Sequence, residues 1–393
     1  MGFKGVDYYS IDELFTDEEK LFRSSVREYL EREVEPLVAN AFNEERPLNM
    51  HELAPKMGGL GMVGIFIPEE YGCPGASYMD FGLLCQELER VDSALRSFIA
   101  VQSGLFMYPI WQFGSEEQKH KWLPQVARGE RIGCFGLTEP DYGSDVAGMD
   151  TVAKKDGAGW VINGAKQWIS EASVADVALV YARTDTGIRG FLVERGTEGF
   201  TQTFLNKKGS MRVGDVGELT FLDCWVPSEN VLPKSTGLRQ VFMCLNQARY
   251  AISWGAIGAA MDCYEMALNY AKQRKQFGSP IASYQLVQEK LVKMLIEITK
   301  GQLLSYRLGR LMDGGRARHQ QISLAKKNNV AVARMCARTA RELMGANGIS
   351  LDYSPIRHME NIESVYTYQG TNDIHTLILG QDITGIPAFT REL

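Results

Sequence analysis

"GWVINGAKQWIS", residues 159–170, breaks the helical rhythm of the chain before it. Short alternating runs cut by Gly and Asp continue through "DVALVYART" (176–184), "RGFLVERG" (189–196) and "GELTFLDCWVP" (217–227). That strand-and-turn spacing predicts a compact β domain over 131–232. On its N-terminal side, Thr16 and Glu19 stand at capping-box spacing ahead of Leu21, Val26, Tyr29, Leu30 and Val34. Helical character then runs to about residue 127, which gives an all-α domain over 1–130. On the other side, helices are expected over 237–275, 283–313, 318–346 and 373–382, with Gly314-Gly315 and "GANG" (345–348) between them. Three long helices and a short fourth read as an antiparallel bundle over 233–393. The expected class is α+β: an N-terminal helical domain, a middle β-barrel or sandwich, and a C-terminal four-helix bundle.

Composition narrows the function. With 393 residues, 45% of them hydrophobic, the chain can bury a large core and divide into two or three domains. A net charge of −6, without a long Lys/Arg run, offers nothing for nucleic acid to bind. The apolar stretch "YAISWGAIGAAM" (250–261) is too short for a membrane span, and the N-terminus carries acids where a signal or transit peptide would not, so a cytoplasmic protein is expected. Seven cysteines include no CxxC pair and five histidines no HExxH, so buried thiols and no metal site are expected. "GLGMVG" (59–64) matches a dinucleotide fingerprint, but a helical segment precedes it where the mechanism needs a strand.

Three stretches carry chemistry. "CFGLTEPDYGSD" (134–145) and "NGAKQWIS" (163–170) combine Gly, Thr and Ser with Trp168, which with Ser170 forms one strand face suited to a flat conjugated cofactor or, equally, to a β-domain core. "QRKQFGSPIASYQ" (273–285) sets Arg274 and Lys275 before a Phe-Gly turn, with Gln285 opening the next helix. The basic residues suit a diphosphate, or simply the helix dipole.

The α–β–α order, together with "GLTEPDYGSD", "KQWIS", "RKQFGSPI", "GANGIS" and "YQGTNDIH", resembles the acyl-CoA dehydrogenase family over essentially the whole chain. "RYAISWGAIGAA" and the segment from Ile356 to Phe389 look most like its glutaryl-CoA dehydrogenase branch. The resemblance implies FAD as cofactor. Phe135, Leu137, Thr138, Trp168 and Ser170 match positions that hold its isoalloxazine ring, and Thr371 and Asp373 match further FAD contacts. Arg274, Phe277, Gln285, Glu342 and Gly345 match positions that reach the FAD of a neighbouring subunit, which implies a homotetramer built as a dimer of dimers. Arg96, Ser144, Arg249, Tyr368 and Gly370 match substrate positions, and an electron-transferring flavoprotein is implied as electron acceptor.

The family removes an α-proton from an acyl-CoA with a carboxylate, usually the Glu of Tyr-Glu-Gly-Thr, while hydride passes to the flavin. Here that position is Gln369, whose amide has no useful proton affinity near neutral pH. The alternative base position, one residue before Arg249, is Ala248. The backbone N–H of residue 369 is still available to the thioester carbonyl. A substrate already unsaturated at the α-carbon would need no α-base, and conjugation would acidify its γ-carbon instead. Asp92, on a stripe with Leu84, Leu88, Leu95 and Ile99, is the candidate base, since burial on an apolar face raises a carboxyl pKa. Its other reading is a cap before Ser93 or a partner of Arg96.

These departures make the chain similar to the family's cyclohex-1-ene-1-carboxyl-CoA dehydrogenases of anaerobic bacteria, which form cyclohexa-1,5-diene-1-carboxyl-CoA by 1,4-elimination. Two alternatives stand beside that expectation. One is a glutaryl-CoA dehydrogenase with Gln in place of its Glu base, favoured by Arg96. The other is a catalytically silent CoA-thioester-binding flavoprotein.

Overall fold

A computed structural model describes residues 3–388. The chain opens with helices α1 (Asp17–Tyr29), α2 (Glu35–Asn43), α3 (Met50–Gly59), α4 (Tyr78–Val91), α5 (Ser93–Ala100), α6 (Tyr108–Phe113) and α7 (Glu116–Ala127). The capping box before α1 is formed: Thr16 accepts from the Glu19 N–H, and the Glu19 carboxylate accepts from the Thr16 N–H. A wider-wound π segment, Val101–Met107, carries α5 into α6. Such segments occur often at functional sites, and Val101 and Leu105 of this one line the main cavity.

Strands β1 (Gly133–Gly136), β2 (Val152–Asp156), β3 (Gly159–Ser170), β4 (Val177–Thr184), β5 (Gly187–Glu194), β6 (Phe200–Phe204) and β7 (Val216–Pro227) form one seven-stranded sheet. Its order is β1-β4-β2-β3-β7-β6, with β5 also paired to β4. The long β3–β7 ladder is antiparallel and slips in register between Gln167 and Ile169, which leaves Trp168 as an extra residue in β3. Strict alternation therefore fails where the sequence placed Trp168 and Ser170 on one face. The bulge re-aims Trp168, at φ 62°, and does so beside the cavity.

The C-terminal part holds α8 (Leu238–Gln273), a small hairpin of β8 (Lys275–Gln276) and β9 (Ser279–Pro280), α9 (Gln285–Asp313), α10 (His319–Leu343), α11 (Ser354–Thr367) and α12 (Asn372–Thr384). Helix α11 corrects the sequence reading, which left 354–367 outside its helices. The buried face of α11 carries Arg357, His358 and Asn361 beside Ile362 and Val365, so no clean apolar stripe marks it. One apolar core joins the N-terminal helices, the sheet and the start of α8, and a second lies among α8, α9, α10 and α11. All seven cysteines are buried and reduced. Among the described residues no helix is long and apolar enough to cross a membrane.

Candidate active site

A cavity of about 1510 Å³ opens where α5 and its π extension, the β1 and β3 ends of the sheet, α8 and the turn before α12 converge. A drug-sized ligand needs roughly 300–1,000 Å³, so this space admits more than one extended ligand. The cavity brings together most of the residues the sequence singled out: Phe135, Leu137, Thr138, Trp168, Ser170 and Thr371, together with Arg96, Ser144, Arg249, Tyr368, Gln369 and Gly370. Asp373 does not line it. It is exposed in the first turn of α12, a helix capped by Thr371, whose hydroxyl accepts from the Ile374 N–H.

Arg274, Phe277, Gln285, Glu342 and Gly345 lie away from this cavity as well. They cluster at the exposed end of the bundle around the β8–β9 hairpin, where Phe277 is 95% exposed and Glu342 pairs with Lys290. Within one chain none of them lines the cavity.

The turn at 368–370 is held by cations. Lys326 donates to the carbonyls of Tyr368 (2.8 Å) and Gly370 (2.6 Å), and Arg249 Nε donates to the carbonyl of Gln369 (2.9 Å). Gln369 is left-handed at φ 55°, a conformation that costs a non-glycine residue about 1–3 kcal/mol. Gly370 follows at φ 87°, and a Cβ there would stand 3.1 Å from His375 Nε2 and 3.3 Å from Arg249 Nη2. With its carbonyls turned to the cations, the turn leaves the Gln369 N–H without an acceptor among the described residues. The buried Oε1 of Gln369 also has no partner. The free N–H at a cavity wall suits a carbonyl-bearing ligand, while the free Oε1 calls for a donor.

Among the cavity-lining residues the single carboxylate is that of Glu363, and it is already committed. Arg334 Nε (2.9 Å) and Arg338 Nη2 (2.7 Å) both donate to it. Partial burial would raise its pKa, but the two arginines outweigh that and hold it below the usual value. Asp92, expected to face the substrate, is instead placed one layer behind the lining. Helix α4 stops at Val91, and Asp92, at φ −161°, caps α5 with Oδ1 accepting from the Ala94 N–H at 2.8 Å. Its Oδ2 accepts from Asn361 Nδ2 at 2.9 Å and lies 3.2 Å from Arg357 Nε. The partner is thus Arg357 and not Arg96. Full burial nevertheless pushes the Asp92 carboxyl up, against the pull of Arg357 and the Ala94 N–H. Asp92 is also near enough to Tyr368 to add to burial and Glu89 in raising that phenol, to about 12.

Arg96 lines the cavity, yet its charge is matched from behind. Nε and Nη2 bind the buried Glu89 at 2.6 and 3.1 Å, and Nη2 also donates to the Tyr368 hydroxyl at 2.6 Å.

Sequence reading passed over Lys326 and His375. Lys326 is 1% exposed on the stripe Ile322, Asn329, Val330 and Ala333 of α10, a charged residue on an apolar face, and the pattern that exposed Asp92 would have found it. His375 is wholly buried, with the Gln369 backbone as its nearest polar partner. Burial first, then Lys326 and Arg249, pushes its pKa down to about 3. The unfolded chain, with a histidine near 6.5, therefore binds more protons than the native chain between those values, and stability falls as pH falls through that window. From pH 6.5 to 5 the expected loss is about 1.6 kcal/mol from this residue alone. Urea unfolding at the two pH values should show a drop that His375→Gln makes smaller by that amount.

The chain belongs to the acyl-CoA dehydrogenase family. Models of that family's N-terminal, middle and C-terminal domains match residues 16–130, 134–224 and 235–384. Its members are flavin-dependent oxidoreductases acting on CH–CH groups, and FAD is the cofactor. Within the family, the chain is 34% identical to a glutaryl-CoA dehydrogenase of Desulfococcus multivorans over 95% of its length and 98% of that protein. It is 31% identical to the human mitochondrial short-chain specific acyl-CoA dehydrogenase, over 92% of its length and 88% of that protein. Among solved structures, a glutaryl-CoA dehydrogenase from Mycobacterium smegmatis superposes with a TM-score of 0.95 at 48% identity, covering 97% of this chain and 98% of that one. A second, in complex with FADH2, gives 0.95 at 45%.

The residues present fit a flavin. Trp168 is 58% exposed in a left-handed bulge at the cavity, an aromatic surface held in a strained conformation with no aromatic ring or cation among the described residues stacked on it. Trp168→Ala is expected to weaken FAD binding by about 10-fold, the size of a lost aromatic contact of about 1.4 kcal/mol. Titration of the apoprotein with FAD, followed by flavin fluorescence, measures it.

Proposed function

We propose that the protein dehydrogenates a cyclic, already unsaturated acyl-CoA, converting cyclohex-1-ene-1-carboxyl-CoA to cyclohexa-1,5-diene-1-carboxyl-CoA. The observation that carries this reading is the absence of an uncommitted carboxylate from the cavity wall among the described residues. Gln369 and Ala248 stand where a base for an α-proton would be, so the substrate is one without an α-proton to remove. The thioester carbonyl accepts from the Gln369 N–H, which draws electron density from the conjugated ring and acidifies C3. Asp92 takes the C3 proton. The C3–H electron pair forms C2=C3, the C1=C2 pair moves to C1–C6, and hydride leaves C6. Bound FAD supplies the two-electron acceptor for that hydride. To act, Asp92 must turn an oxygen from Asn361 and Arg357 toward the cavity, with the ring seated against the Arg96–Tyr368 wall and C3 facing it; its raised pKa suits a base. Ala100, Val101 and Leu105 give that end of the cavity an apolar lining that suits a ring.

A glutaryl-CoA dehydrogenase reading has its own support: the Mycobacterium smegmatis relatives and Arg96 at the cavity. Against it, Glu89 already neutralises Arg96, so a second carboxylate would find a matched charge. Incubation of the purified protein with each thioester and an electron acceptor separates the readings. Diene from the ring substrate supports the first, crotonyl-CoA from glutaryl-CoA supports the second, and neither, with FAD bound, supports a silent binder.

The assembly we propose is a homotetramer, a dimer of dimers, with an electron-transferring flavoprotein taking the electrons. Phe277, Leu286, Val292 and Ile296 form an exposed apolar face on the hairpin and α9, which a second copy would cover while bringing Arg274 and Gln285 to its FAD.

A further inference from the structure

Lys326 is a buried amine with no carboxylate in ion-pairing reach among the described residues, and its neighbours Arg249 and Arg96 are cations. Burial and those two charges hold its ammonium well below the usual range. A fold that only needed to fill this space would do so more cheaply with Met or Leu. What Lys326 does instead is bind two carbonyls that flank one residue, Tyr368 O and Gly370 O, while Arg249 takes the carbonyl between them. Its side chain does not line the cavity.

We propose that Lys326 is a positioning residue of the thioester site: by holding the carbonyls of Tyr368 and Gly370 from behind, it fixes the left-handed turn that presents the Gln369 N–H to the substrate carbonyl. This rests on the assignment of that N–H to the thioester. Without the two bonds, Gln369 relaxes from φ 55° toward an ordinary conformation and its N–H turns from the cavity. Three other features bear on the same turn: the Arg249 bond, the close approach of Gly370 to His375, and the Thr371 cap of α12. Among the described residues, only Lys326 binds carbonyls on both sides of residue 369.

The test reads the carbonyl itself. Crotonyl-CoA labelled with ¹³C at the thioester carbonyl is bound to the holoenzyme, and its stretching band is followed by isotope-edited infrared difference spectroscopy. In the wild-type protein the band is expected below that of free crotonyl-CoA. Lys326→Met is expected to move it most of the way back and to lower kcat about 10²-fold, the loss typical of one oxyanion donor, with KM changed far less. Lys326→Arg, which keeps two donors, retains most of the displacement. Should Lys326→Met not give folded holoenzyme, Lys326→Gln, one bond shorter, is read on the same band and is expected to show a smaller displacement than wild type. A variant that only destabilised the fold would lower Tm and leave the band in place, and that result overturns the proposal. An undisplaced band in the wild-type protein overturns the N–H assignment beneath it. Neither outcome depends on whether the natural substrate is cyclic.

Discussion

Asp92→Asn is expected to lower turnover of cyclohex-1-ene-1-carboxyl-CoA by about 10²- to 10⁴-fold, the range for loss of a general base. Asparagine keeps an oxygen for the Ala94 N–H and so keeps the cap on α5. It removes the charge opposite Arg357, a buried pair whose breakage costs about 3–5 kcal/mol, so stability falls as well. The two effects separate cleanly. Rates are taken per bound FAD well below the melting temperature, and crotonyl-CoA binding is measured beside them. A base that has been removed leaves binding intact, whereas a collapsed site loses both. Turnover within about 3-fold of wild type would remove Asp92 from the chemistry.

Gln369→Glu is expected to confer what the wild-type cavity lacks. A carboxylate at residue 369 replaces an amide whose Oε1 has no partner, and it arrives beside Arg249 and Lys326, two buried basic groups without an acid partner among the described residues. Burial alone lowers Arg249 to about 10, and a neighbouring carboxylate relieves that stress. The variant should exchange the α-protons of butyryl-CoA with deuterated solvent at least about 10²-fold faster than wild type, read by mass spectrometry. It should gain nothing with the ring substrate, which offers no α-proton. If the same variant turns glutaryl-CoA into crotonyl-CoA efficiently, the glutaryl reading gains at the expense of the cyclic one.

Much of this was legible in the sequence, for reasons that can be stated residue by residue. The change from helical to alternating patterning marks the passage from α7 to β1, and Thr16 with Glu19 marks the start of α1, because both signals are local. Helix α11 escaped because its buried face is polar: Arg357, His358 and Asn361 point inward to serve Val91, Asp92, Asp262 and Met211. The stripe Leu84, Leu88, Leu95 and Ile99 correctly announced a buried Asp92, since all five are 0% exposed. It could not show that the helix breaks there, nor that Arg357, 265 positions away in the chain, would supply the partner in place of Arg96. The Trp168 bulge was hidden for a similar reason: an extra residue in a ladder depends on the register of β7, which no window around 168 contains. The cation cage behind residue 369 joins α8, α10 and the turn before α12, and only folding brings them together.

In the proposed reaction Asp92 takes a proton from C3 of a conjugated ring. The direct measurement is a crystal structure of the FAD-loaded protein with cyclohex-1-ene-1-carboxyl-CoA bound. The expected result is an Asp92 carboxylate oxygen about 3–3.5 Å from C3, with C6 toward the flavin. An Asp92 still held by Arg357 and Asn361, far beyond hydrogen-bond reach of C3 and with no water between, would contradict it.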